Sequence, residues 1–128
     1  MIENLFNDGY HQVIKAWGKE IWLTNTRDYC AKLLIVNAGW QCSKHKHPIK
    51  NETFFVLSGV PLIEIEVGQG RMNAELKAPG DSVFIPRNTF HRFSATEGDV
   101  TLLEISTTHS DDDVIREEDS RQIEDLPF

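Results

Sequence analysis

The sequence predicts an all-β single domain, an antiparallel sandwich or barrel, from three observations. Its 128 residues fit one domain and can bury a core without staples. From Glu20 to Thr107 it runs through roughly eight or nine short segments rich in β-branched and aromatic residues, as strands are. Turn residues bound each segment, and no internal repeat or long linker interrupts them. Folds built this way hold small ligands in the mouth or middle of the barrel.

Taken in order, residues 1–16 mix polar and apolar types without a clean period and read as an N-terminal arm or short helix. "EIWLTNT" and "YCAKLLIVNAG" are the first strands, separated by a polar gap. "NETFFVLSG" follows. "PLIEIEVG" alternates Leu62, Ile63, Ile65 and Val67 with Glu64 and Glu66, so one side of it is wetter. "GQGR" is a glycine turn, "RMNAELKAPG" a strand closing on Pro-Gly. "DSVFIP", "FHRFSAT" and "VTLLEIST" complete the barrel, residues 17–109. Residues 110–128, "SDDDVIREEDSRQIEDLPF" from Ser110, are mostly acidic and read as a solvated tail or terminal helix.

Composition narrows the functions. A formal net charge of -7 and 26% charged residues argue against nucleic acid, whose phosphates demand a basic face. No apolar run reaches the roughly 18 residues that span a bilayer, and "MIENLFNDGY" lacks the basic flank and apolar stretch of a secretory signal. Cys30 and Cys42 lie in expected strands without a CxxC pair and read as reduced, buried thiols of a cytoplasmic protein.

The chemistry concentrates in "AGWQCSKHKHPIKNETFFVLSG". His45 and His47 are two apart, and strand residues i and i+2 face the same way. Glu52 follows a short turn, and His91 opens a later strand. Singly, each histidine reads as a surface residue near a loop. Together, three imidazoles and a carboxylate suit a first-row divalent ion, Zn, Mn, Fe, Co or Ni, and leave an octahedral ion with open positions.

These residues carry a resemblance. Gly39, His45, His47, Glu52 and Gly59 reproduce the first motif of the cupin superfamily, Gly-x5-His-x-His-x4-Glu-x6-Gly. Gly80, Pro86 and His91 reproduce most of the second, Gly-x5-Pro-x-Gly-x2-His-x3-Asn. Asn88 stands where Gly is usual and Ala95 where Asn is usual. Asn is the next-best residue for a left-handed backbone. The resemblance implies a cupin jelly roll, or double-stranded β-helix, with short terminal extensions and one divalent metal ion on His45, His47, Glu52 and His91.

Two outer segments resemble cupin-type mannose-6-phosphate isomerases, including the cupin module of bifunctional isomerase–guanylyltransferases. These are "AWGKEIWL" and "LLEISTTHSDDDVIREED". This likeness implies an aldose–ketose isomerase of a sugar or sugar phosphate, in which a base moves a proton between adjacent carbons. The candidate bases are Glu104 first, then Glu64 and Lys32. A phosphate would need a cationic seat: Arg116 matches the family's closing segment, and Arg87 and Arg92 flank the second motif. Lys44, Lys46 and Lys50 surround the first and read as solvated surface charges. The negative net charge favours a free sugar. Trp17, Trp22 and Trp40 read as core or contact residues. Competing expectations are an Fe(II)-dependent dioxygenase on a small organic substrate and a noncatalytic sugar-binding module. Cupins commonly pair through sheet edges, so a homodimer is expected.

Overall fold

The structure is a computed structural model that describes residues 9–125. It contains thirteen strands: β1 (His11–Lys15), β2 (Gly18–Asn25), β3 (Cys30–Val36), β4 (Trp40–Gln41), β5 (Lys44–Lys46), β6 (Glu52–Ser58), β7 (Leu62–Gly68), β8 (Arg71–Leu76), β9 (Ser82–Ile85), β10 (His91–Ser94), β11 (Val100–Ser106), β12 (Ile115–Glu118) and β13 (Arg121–Gln122). A short 3-10 turn at Ile123–Asp125 follows. The strands form two antiparallel sheets. One is six-stranded in the order β1-β2-β3-β11-β6-β9. The other is seven-stranded in the order β12-β5-β10-β4-β13, with β7 pairing β10 and β8. This is the all-β jelly roll the sequence predicts.

The strand count exceeds the expectation because short pieces such as β4, β5 and β13 carry too few residues to show a period. The termini differ as well. Residues 11–15, within the segment read as an arm, pair with β2 from His11↔Trp22 to Lys15↔Gly18. The segment read as a solvated tail or helix supplies β12 on β5 and β13 on β4. Its acidic residues meet lysines and arginines of the sheet, as in Lys44 Nζ–Glu117 Oε1 at 2.9 Å. A charge run thus becomes an edge strand.

Register decides where the cavity lies. Across β3, β11 and β6, Leu34 faces Leu102, which faces Val56. The next inward row is Lys32, Glu104 and Phe54, and the next is Cys30, Ser106 and Glu52. Alternation sends every member of these rows to the same face of the sheet. The interior is therefore apolar at one end and polar at the other. The apolar end is the core, where Leu34, Val36, Phe54, Val56, Val83, Ile85, Val100 and Leu102 meet Cys42, Ile63, Phe93 and Ala95 of the second sheet. Trp17 joins this core and Trp40 packs on it. Burial of these side chains contributes about 1.5–3 kcal/mol each for the larger ones.

Two turn positions bear on the site. Asn88 is the non-glycine residue with a left-handed backbone, at φ 61, and its N–H donates to the His47 carbonyl at 2.7 Å. Asn tolerates this conformation where most side chains do not. Gly59, at φ 82, admits no side chain, since a Cβ would lie 2.2 Å from the Asp99 carbonyl oxygen. Among the described residues no helix is long and apolar enough to cross a membrane. Cys30 and Cys42 are free and buried.

Candidate metal centre

His45 and His91 are cross-strand partners on β5 and β10, which sets their ring centroids 4.6 Å apart. His47, one residue beyond β5, brings its ring to 4.9 Å from His45 and 5.7 Å from His91. One ring nitrogen from each of the three lies within 4.8 Å of the others. Glu52, at the start of β6, reaches in from the facing sheet. Its Oε1 is 3.5 Å from His47 Nε2 and 3.4 Å from His91 Nε2.

The hydrogen bonds assign the tautomers. His47 Nδ1–H donates to the Asp113 carbonyl at 2.6 Å, His91 Nδ1–H to the Thr89 carbonyl at 3.0 Å, and His45 Nδ1–H to the Ser43 carbonyl at 3.0 Å, shared with the Ser43 hydroxyl at 2.8 Å. Each ring thereby presents a lone pair at Nε2. Such anchoring of the far nitrogen orients metal-ligating histidines. Burial keeps the rings neutral: desolvation pulls His47 and His91 down to about 4 and His45 well below its ordinary range. Burial, with Glu104 nearby, pushes Glu52 up to about 8. Among the described residues His91 Nε2 is the buried side-chain atom with no hydrogen-bond partner. Converging lone pairs against a carboxylate oxygen call for a cation among them. The donor set fits a divalent transition metal ion held by His45, His47, His91 and Glu52.

These ligands line a cavity of about 500 Å³, ample for a small organic ligand. Glu104 lies in its wall, buried. Lys50 Nζ donates to Glu104 Oε2 at 3.1 Å and Ser106 Oγ donates to the same oxygen at 2.9 Å. Burial alone would raise the Glu104 pKa, but Lys50 and Lys32 outweigh it and hold the carboxyl below its usual range. Lys50 also lies 3.6 Å from Glu52 Oε2 and donates to His109 Nδ1 at 3.0 Å. His109 in turn donates from Nε2 to Asp111 Oδ1 at 2.9 Å.

The structure brings some sequence candidates together and leaves others apart. Glu104, Lys32 and Arg116 line the cavity, Arg116 from an exposed position on β12 beside His45. Glu64 and Arg92 instead pair with one another across β7 and β10, at 3.1 Å, and Arg92 is also bound by Glu118. Neither lines the cavity, because their strand positions alternate outward from Ile63 and Phe93. Arg87 is exposed and leans on Asn51. Lys50 overturns its reading as a solvated charge: it is 2% exposed. Its signal was its position two residues before Glu52, close enough to share that carboxylate. Sequence reasoning also missed Glu20, His109 and Asp111. Glu20 is two residues from Trp22 on β2, a legible signal; no local pattern marks His109.

Comparison with known proteins agrees with this geometry. The family model described as Cupin domain matches residues 32–106. The chain is 31% identical over 112 residues to a D-lyxose/D-mannose isomerase of Thermosediminibacter oceani, covering 70% of this chain and 61% of that protein. It is 34% identical over 70 residues to the uncharacterized protein YdbB of Bacillus subtilis, covering 55% and 57%. The chain thus spans about three fifths of the length of these relatives. Oxalate decarboxylase from Bacillus subtilis shares the fold at TM-score 0.77 and 17% identity, over 88% of this chain and 31% of that one. KdgF from Halomonas sp. shares it at TM-score 0.70 and 20% identity, over 83% and 93%. Since the family match takes in more than half of the residues and includes His45, His47, Glu52 and His91, the chain belongs to the cupin domain family.

Proposed function

We propose that the protein is a metal-dependent aldose–ketose isomerase acting on a sugar or sugar phosphate. The observation that carries this reading is a carboxylate, Glu104, paired with Lys50 at 3.1 Å and lining the same cavity as the converging imidazoles, from the facing sheet. The relative named as a D-lyxose/D-mannose isomerase supports it. His45, His47, His91 and Glu52 would hold the ion, which when bound supplies Lewis-acid polarisation of the sugar's carbonyl and hydroxyl oxygens. Glu104 takes the proton from one carbon and returns it to its neighbour. Both hydrogen bonds to Glu104 fall on Oε2, leaving Oε1 as the acceptor. Lys50 keeps the carboxylate charged before the transfer and then stabilises oxygen charge beside it. Lys32 is a cation of the cavity wall rather than the base.

The free cysteines suit a reducing compartment, in line with a cytoplasmic protein, and we propose a homodimer. The test is elemental analysis of the purified protein followed by a screen of aldoses and their phosphates for ketose formation with the matched metal. Ketose formed only by metal-loaded protein is the expected result. Oxygen uptake with Fe(II), or sugar binding without turnover, would overturn the reading.

A further inference from the structure

The cavity has a second polar wall, on β2 and β3, that the isomerase chemistry leaves unused. Lys32 is 2% exposed, yet its ammonium lines the cavity. Its neighbours are Glu20 Oε1 at 3.5 Å and the Trp22 ring, whose centroid is 4.1 Å from Nζ. Among the described residues Lys32 Nζ makes no hydrogen bond of its own. Glu104, directly across the strand pair, is hydrogen-bonded by Lys50 and Ser106 instead. The N–H bonds it does not direct at Glu20 face the cavity, a ligand-sized space in which an acceptor would complete them.

The neighbours of Lys32 are fixed in place. Trp22 Nε1–H donates to Glu20 Oε1 at 2.9 Å, so one residue orients the carboxylate and offers its ring to the cation. His11 and His109 pack edge-on against that ring at 5.1 and 5.0 Å. An ammonium beside a carboxylate is complementary to a hydroxyl group, which accepts from the first and donates to the second. Lys32 and Glu52 lie on strands two apart and one inward row out of register, so this wall and the candidate metal ligands occupy different places in one cavity. The charges along this wall also alternate: Glu20 stands between Lys15, at 4.0 Å, and Lys32, at 3.5 Å, and Glu104 beside Lys50, with Asp111 beyond. A phosphate dianion would sit among carboxylates, whereas a neutral polyol meets matched pairs.

We propose that Lys32, Glu20 and Trp22 form a subsite for the hydroxyl-bearing end of a neutral, unphosphorylated sugar chain. The assignment rests on the isomerase reading for its substrate class, and its test does not need turnover. Titrate metal-loaded protein calorimetrically with a hexitol, which cannot isomerise, and with its terminal phosphate. The native chain should bind the hexitol at least as well as the phosphate. Lys32→Met keeps the side chain's bulk and should weaken hexitol binding on the order of ten- to a hundredfold, the worth of a charged hydrogen bond, with metal content unchanged. Glu20→Gln, at a partly exposed position, should weaken it in the same direction and serves if Lys32→Met does not fold. Hexitol affinity unchanged in the folded variants, no hexitol binding to the native chain, or a clear preference for the phosphate overturns the subsite. Lys32-dependent hexitol binding in a protein that turns over no aldose keeps the subsite and removes the isomerase reading.

Discussion

At the scale of single residues, the proposed function gives His91 and Glu104 separate roles, His91 to hold the ion and Glu104 to move the proton. His91 is 1% exposed and its Nε2 has no hydrogen-bond partner. His91→Ala removes one of three converging imidazoles, and metal retention after dialysis should fall to a small fraction of that of the native chain. Elemental analysis checks this, and a stoichiometry equal to the parent's would refute the centre. Glu104 touches none of the imidazoles at hydrogen-bond distance. Glu104→Gln keeps the Ser106 hydroxyl and the Lys50 ammonium supplied with an acceptor while removing the basic oxygen. Bound metal should stay the same and kcat for ketose formation should drop about 10²–10⁴-fold, the range for a lost general base. A loss in KM alone would assign Glu104 to binding rather than proton transfer.

At the scale of elements, the acidic C-terminal segment is part of the metal site. The Asp113 carboxylate accepts from the Ile49 N–H at 2.8 Å and the Lys50 N–H at 3.0 Å, while its carbonyl accepts from His47 Nδ1. One residue therefore ties the turn between β5 and β6, and through it orients His47 and presents Lys50. Asp113→Ala leaves two backbone donors without their acceptor, the buried one at Lys50 and a part-buried one at Ile49, which costs about 1–3 kcal/mol, and should lower metal affinity roughly tenfold through the loosened histidine. Competition with a chelator measures the affinity and thermal unfolding the stability; no change in either would make the segment a passive strap. This contact was hidden from the sequence because Asp113 and His47 are far apart in the chain and no period links them. The convergence of His45, His47 and His91 was legible, from i and i+2 spacing on a strand and from the two motif spacings, and the same motifs marked Glu52 as the carboxylate beside them. Asn88 was legible too, as a residue able to take the left-handed turn. Arg92 misled because nearness to a motif in sequence says nothing about which face a strand turns inward, and Arg87 because it lies exposed in the turn between β9 and β10. Lys50 misled because a lysine among lysines reads as surface until a buried carboxylate pair is seen to surround it. Ala95 stands where the second motif usually has Asn, and it is fully buried in the apolar core. Position 95 here serves packing.

At the scale of the whole molecule, the outward face of the six-stranded sheet is the surface to test for pairing. Alternation sends Glu52, Phe54, Leu102 and Glu104 inward, so the residues between them point away from the cavity. On that face Ile21 and Leu33 are already buried within the chain, so the part open to a partner begins at Leu103 and Phe55, which stand in register and are half-buried. The adjoining row runs Ala31, Ile105, Thr53 and Phe84. Ile105 is 53% and Phe84 58% exposed. Polar residues would normally cover such a face in a lone antiparallel sheet, and a contiguous apolar patch on a water-facing sheet marks a contact surface. A two-fold dimer would set the same rows of two copies against one another, since a two-fold contact uses one patch on both partners. The cavity lies on the opposite face of this sheet, so pairing there would leave it open to a ligand. The native protein should therefore sediment as a dimer. Ile105→Asp places a charge in the patch without entering the core and should shift the mass to that of one chain, with metal content preserved. Light scattering coupled to size exclusion reads both states. A native chain that runs as a monomer, or an Ile105→Asp variant that stays dimeric, would move the contact off this face.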